Sequence, residues 1–193
     1  MGWTRREFID AGLSVSFAAL PLQGLGEFLT ATVPCKDDKP TPVARPDVPF
    51  AAGAPERMEI APPAAGATPL TITGFVVGLK CGGIKGARVD VWHADAKGAY
   101  PAGAAALRAF QFTDAKGKFV FGTNLPGAAA GKPRTLNIRV QTLTPGKADV
   151  TTVLFFPDDA LKTKDPRFKP VLELKVTQAG AARSARFDVL LDL

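Results

Sequence analysis

His93 and Tyr100 are the only histidine and the only tyrosine in the chain. An imidazole and a phenol can ligate a metal or exchange protons, so these two residues bound what chemistry is possible. The soft groups are equally few. Cys35 and Cys81 are the only cysteines. They lack metal-ligand spacing and are too few for a disulfide framework. In an oxidising compartment they could pair across the Pro-rich segment between them, a bridge worth about 3–4 kcal/mol for a loop of that length. Two unrelated thiols, with Cys81 packed at a strand end, is the competing reading, and the sequence leaves both open. A Cys81–His93 dyad is conceivable, but Cys81 reads more simply as a loop thiol. Asp90, Asp95 and Asp114 read as turn or strand-surface residues. There is no G-x-S-x-G elbow, P-loop or dinucleotide fingerprint.

The elements that must position His93 and Tyr100 are strands. Leu70–Tyr100 reads as a β-hairpin with glycine at its turns, then a tight Asp95–Gly98 turn that delivers Tyr100. Short alternating runs follow at Leu107–Thr113, Lys118–Gly122, Thr135–Thr142, Asp149–Phe156, Val171–Thr177 and Arg183–Leu191, after Leu70–Gly78 and Ala87–Trp92. Asp114–Gly117 has the chemistry of a hairpin turn. Val89, Val91, Phe110, Phe112, Phe119 and Phe121 occupy alternate positions, as a half-buried pleat requires. No segment after Leu70 sustains a helical period. The expectation is an all-β antiparallel sandwich over residues 70–193.

Two segments precede it. Residues 34–69 carry prolines at 40, 42, 46, 49 and 55 and repeat no packing period. They read as an extended arm along the domain, with Phe50, Met58 and Ile60 as its anchors; a mobile tether is the alternative. Residues 1–33 begin with a charged head followed by the apolar run Ala11–Leu22. Arg5, Arg6 and Phe8 resemble a twin-arginine export signal. The expectation is a periplasmic or extracytoplasmic protein, its signal cleaved or retained as a membrane anchor. The net charge of +6 comes from lysines and arginines that are scattered rather than clustered. With no basic patch, nucleic acid is not an expected partner.

Leu70-Thr-Ile-Thr-Gly74, Cys81, the run Gly86–Asp95 with its W-H-A-D core, Gly98 and Tyr100 together resemble the intradiol ring-cleavage dioxygenases, especially their exported branch. So do Leu107-Arg108, Thr113–Gly117 with Phe119 and Phe121, Leu125-Pro126-Gly127, and Val150–Thr152 through Phe155–Pro157. The resemblance covers roughly residues 70–165. It implies a β-sandwich that holds non-haem Fe(III) through two tyrosinates and two histidines and cleaves catechol-like rings. Tyr100 falls on the first tyrosine position. Where the second is expected stand Ala128, Ala129 and Ala130, with Ala129 the mapped residue. The histidine pair maps onto Asn137 and Arg139, and Arg134 matches an arginine that helps the chemistry near substrate. His93 lies in the W-H-A-D motif, where the family does not use it as a ligand.

Alanine donates nothing, and Arg139 puts a permanent cation where a cation should bind. The resemblance therefore implies a degenerate member with no cofactor. Its expected role is a non-catalytic, membrane-associated structural or assembly subunit, partnered by protein subunits of a larger complex, redox or energy-converting in kind. One alternative is a module that binds an aromatic or sugar-like ligand between Tyr100, Arg134 and Arg139. Another is a dioxygenase with an altered metal site.

Overall fold

The computed structural model describes residues 39–193 apart from 81, 104 and 144–148. The export residues Arg5, Arg6 and Phe8, and both Cys35 and Cys81, lie outside the described residues. Among the described residues nine strands follow in order: β1 (Pro69–Gly78), β2 (Arg88–His93), β3 (Arg108–Phe112), β4 (Lys118–Asn124), β5 (Thr135–Gln141), β6 (Val150–Phe155), β7 (Lys175–Ala179), β8 (Ala182–Arg186) and β9 (Val189–Leu191). They form two sheets. One has the order β4-β1-β8-β7 with β9 also on β1, and the other has β3-β2-β5-β6.

Period-2 alternation sends one row of each sheet inward. Val89, Val91, Leu136, Ile138, Val140 and Leu154 meet Leu70, Ile72, Val76, Phe119, Phe121 and Ala185 in a single buried core. Each large side chain buried there contributes about 1.5–3 kcal/mol. The core is thus an all-β sandwich, as the alternation required.

Several expectations about pairing are corrected. Leu70–Tyr100 is not a hairpin, because β1 and β2 belong to opposite sheets. Asp114–Gly117 is likewise a corner between sheets, since β3 pairs with β2 and β4 with β1. The local turn chemistry is nonetheless as read: Asp114 Oδ1 accepts the Lys116 and Lys118 amides, and Gly117 takes φ +81°. β8 and β9 run parallel to β1, unlike the other pairings. The run Arg183–Leu191 breaks at Phe187–Asp188, where the Asp188 carboxylate accepts the Phe75 amide at 3.1 Å. There the Phe187 carbonyl presses on Gly74, and a Cβ at that glycine would stand 1.9 Å from it. Val171–Thr177 begins as a 3₁₀ turn at Pro170–Leu172 and becomes a strand only at Lys175.

Phe110 and Phe112 alternate as expected but face away from the core. Register places Phe112 opposite Arg88 and Phe110 opposite Asp90 on the outer face of the second sheet. Phe112 is 46% exposed, and the Arg88 guanidinium lies 3.6 Å from the Phe110 ring centroid. Asp90 is not at the surface either: it is 1% exposed and held by Arg88 at 2.8 and 3.0 Å.

The segment before β1 binds sheet edges. The Thr41 amide donates to the Leu190 carbonyl, and the Ala44 amide donates to Thr151 on β6. The chain then crosses the outer face of the second sheet. Pro55 and Arg57 bond both sides of Phe110 on β3, and Met58 and Ile60 bond both sides of Gly122 on β4. Extended, proline-rich backbone suits this role because it leaves its remaining polar groups free for edges. Ile60 is buried and Phe50 meets Trp92 edge to face, but Met58 is 64% exposed and anchors only through its backbone.

Candidate functional site

The turn after β2 places Tyr100. Asp95 Oδ1 accepts the Lys97 and Ala99 amides, closing an Asx turn that Gly98 completes at φ +83°. The loop Leu125–Gly127 docks on this turn, with the Gly127 amide donating to the Asp95 carbonyl at 2.8 Å. Any Cβ at Gly98 would collide with the backbone of Ala128 and Ala129. Tyr100 and Ala129 therefore come together, along a small cavity of about 140 Å³ that Asp47, Lys132 and Thr135 also line.

Odd-numbered residues of β5 project to the outer face, which is why Thr135, Asn137 and Arg139 share it. Asn137 is wholly buried, and its amide donates to Tyr100 Oη at 2.8 Å and to the Trp92 carbonyl at 3.2 Å. Its Oδ1 is buried with no partner among the described residues. Burial raises the Tyr100 phenol above its ordinary pKa, although hydrogen bonds from Asn137 and Thr135 pull the other way. Tyr100 is thus a neutral phenol at physiological pH.

Arg139 and Arg134 do not join this group. Arg139 pairs with Asp149, and its guanidinium stands 4.4 Å from the Phe50 ring centroid. Phe50 in turn meets Trp92 edge to face at 6.0 Å, and Trp92 Nε1 donates to the Val48 carbonyl. Arg134 turns toward Asp158, while its backbone amide donates to Asp159 at 2.7 Å. Neither arginine lines the cavity at Tyr100. A ligand cradled by Tyr100, Arg134 and Arg139 together does not match this geometry.

Sequence reading missed the participation of Asp47 and Arg167. Asp47 belongs to the arm, and Arg167 reaches it at 3.2 Å while binding Asp165 and the Arg45 carbonyl. The Asp165 carboxyl lies below its ordinary pKa, chiefly through its hydrogen bond from Arg167. Asp47 also meets Lys132 at 3.5 Å. Nothing in local sequence marks this cluster, because its members come from three separate segments.

His93 is on the other face of β2, inside the sandwich. Nδ1 lies 2.7 Å from the Ala94 carbonyl and Nε2 lies 2.8 Å from Thr123 Oγ1. A carbonyl can only accept, so Nδ1 carries the proton and Nε2 accepts from the threonine hydroxyl. Burial lowers its pKa, against a smaller opposing effect of the Ala94 hydrogen bond. It is a neutral tie between the sheets.

No family model matches the sequence, and no curated protein does. Solved structures match it strongly. The dioxygenase domain of a dioxygenase carbohydrate-binding protein fusion from Streptomyces sp. SirexAA-E is 35% identical, with TM-score 0.75, over 80% of this chain and 99% of that one. A 3-chlorocatechol 1,2-dioxygenase from Rhodococcus opacus 1CP is 22% identical, with TM-score 0.68, over 82% of this chain and 75% of that one. An intradiol ring-cleavage dioxygenase from Tetranychus urticae is 18% identical, with TM-score 0.64, over 75% and 90%.

The family implies ferric iron, and the residues here do not fit it. Tyr100 is one oxygen donor, and the unpartnered Asn137 Oδ1 would be a second, weaker one. Ala128–Ala130 have no side-chain donor atoms, and Arg139 is a cation already paired with Asp149. Asp47, the nearest carboxylate along the cavity, is engaged by Arg167 and Lys132. Among the described residues no three His, Cys, Asp or Glu side chains cluster as a metal site would require. With the sandwich, the W-H-A-D turn and the 35% identity in hand, the chain belongs to the intradiol ring-cleavage dioxygenase family.

Proposed function

We propose that this chain is a non-catalytic member of its family, an extracytoplasmic, membrane-associated subunit that helps build a larger assembly. One observation carries the reading: at the mapped histidine position stands Asn137, whose amide N–H points at Tyr100 Oη. A hydrogen-bond donor aimed at the phenol occupies the direction from which a cation would approach. The arm supports the same reading, because Phe50 and Val48 cover Trp92 and Arg139 on the face where the mapped residues lie.

The test is metal analysis and catechol turnover on protein isolated from its native membrane, together with the identity of what co-purifies. The expected result is no stoichiometric iron, no ring cleavage and stable association with other subunits. Stoichiometric iron with a tyrosinate charge-transfer absorption, or ring-cleaved product, would overturn the proposal. A free monomer would remove its assembly half.

A further inference from the structure

The arm and the loops cover sheet edges one after another, and one edge is left. β6 is bonded by Ala44 and by Leu174, β3 by Pro55 and Arg57, β4 by Met58 and Ile60, and β9 by Thr41. β7, the outer strand of the first sheet, has only β8 beside it among the described residues. Its sequence, Lys175-Val-Thr-Gln-Ala179, has no proline or bulge and a single charge at one end. Those are the devices by which edge strands are usually blunted. The β7–β8 turn has Gly180 at φ +60°, and Ala179 pairs directly with Ala182. In a two-residue hairpin that closing pair is hydrogen-bonded, so Ala179, Thr177 and Lys175 bond β8. The N–H and C=O groups of Val176 and Gln178 then point outward.

The Lys175 end of this edge opens into a groove of about 610 Å³. Pro40, Pro42, Pro170 and Val171 give it apolar walls, and Val171 is 57% exposed. Three lysines also line it, Lys39, Lys169 and Lys175, none of them in an ion pair among the described residues. The two acids in the lining are already engaged, Glu173 by Lys162 and Asp188 by Arg186. The groove therefore presents unmatched positive charge beside an open strand.

We propose that β7 receives an extended strand from a partner subunit, and that carboxylates following that strand enter the lysine-lined groove. Main-chain bonds to Val176 and Gln178 would give affinity, and the lysines would select an acidic continuation. The inference rests on the reading of the chain as an assembly subunit, but its failure can be told apart. The iron and turnover assays do not involve β7, and strand binding does not involve Tyr100.

The test uses the full chain and a labelled synthetic peptide that alternates valine and threonine and ends in aspartates. A control peptide ends in lysines. Binding of the acidic peptide should exceed that of the control at least tenfold and weaken as salt rises. Gln178→Pro removes an outward donor without touching a β8 bond, so the protein should fold and lose at least tenfold in affinity. Lys169→Glu with Lys175→Glu should reverse the peptide preference, which keeps the test decisive if the proline variant misfolds. Equal binding of both peptides, or none, would overturn the proposal. So would a dimer that Gln178→Pro dissolves, which assigns the edge to a second copy. Binding that appears only after Asp37→Lys with Asp38→Lys would instead assign the groove to the chain's own preceding residues, and would overturn it too.

Discussion

Between about pH 7.5 and 5.5, acid should loosen this sandwich through one residue. His93 is 2% exposed and bridges the sheets by donating to the Ala94 carbonyl and accepting from Thr123. Its folded pKa is lowered by burial. In the unfolded chain it returns to about 6.5. Below that pH the unfolded state binds a proton that the folded state refuses, so stability rises with pH across the window and falls as pH drops through it. Above about 6.5 the contribution is complete. Because the chain has no second histidine, no other side chain with an ordinary pKa titrates between about 5.5 and 7.5. His93→Leu should therefore do two separable things. It should destabilise the protein by about 2–4 kcal/mol at pH 7.5, since the Ala94 carbonyl and Thr123 hydroxyl are left buried without a partner. It should also flatten the dependence of stability on pH between about 7.5 and 5.5. Urea unfolding followed by tryptophan fluorescence at several pH values measures both. A slope in the variant as steep as in the wild type would refute the assignment. So would a flat wild-type profile.

Three further outcomes follow from the described contacts. Tyr100 is the only tyrosine, so alkaline absorbance titration reports it alone; its midpoint should lie above the ordinary tyrosine value, and Asn137→Leu should raise it further by removing a bond to the ionised form. Phe50→Ala should release the arm across Trp92 and Arg139 at a cost of about 1–2 kcal/mol, seen as faster tryptic cleavage after Arg57 with the sandwich intact. Gly74→Ala should cost more than about 3 kcal/mol, because its Cβ would meet the Phe187 carbonyl, a backbone atom, as well as the buried Phe119 ring; loss of soluble protein or a lowered melting temperature is the readout.

Legibility in the sequence followed range. The Asp95 and Asp114 turns were readable because an aspartate that caps its own following amides needs only local chain. Core alternation was readable on β2, β4 and β5 for the same reason. Pairing was not. The turn at Asp114–Gly117 has hairpin chemistry, but which sheet each flanking strand joins depends on registers set far away. Phe110 and Phe112 show the limit of a period-2 pattern, which finds two faces without saying which one is the core. At the site, the scarcity of tyrosine and histidine could be counted from composition, whereas the hydrogen bond from Asn137 to Tyr100 could not. Asp47 and Arg167 were invisible because the arm's path over the sheet brings them together.

The pairing of β1 with β8 and β9 has a kinetic side. Its contacts join residues as far apart as Phe75 and Asp188, 113 positions along the chain. A central strand that waits for so distant a neighbour gives high contact order, which slows folding because the loop must close before the contacts reward it. During synthesis β1 emerges with one flank bare and stays so until β8 and β9 have left the ribosome. Over that interval its apolar row is exposed to chaperones and to other nascent chains. Completion of the first sheet is therefore a late event, and a lesion at Gly74 or Asp188 would act by prolonging that exposure as well as by weakening the finished fold.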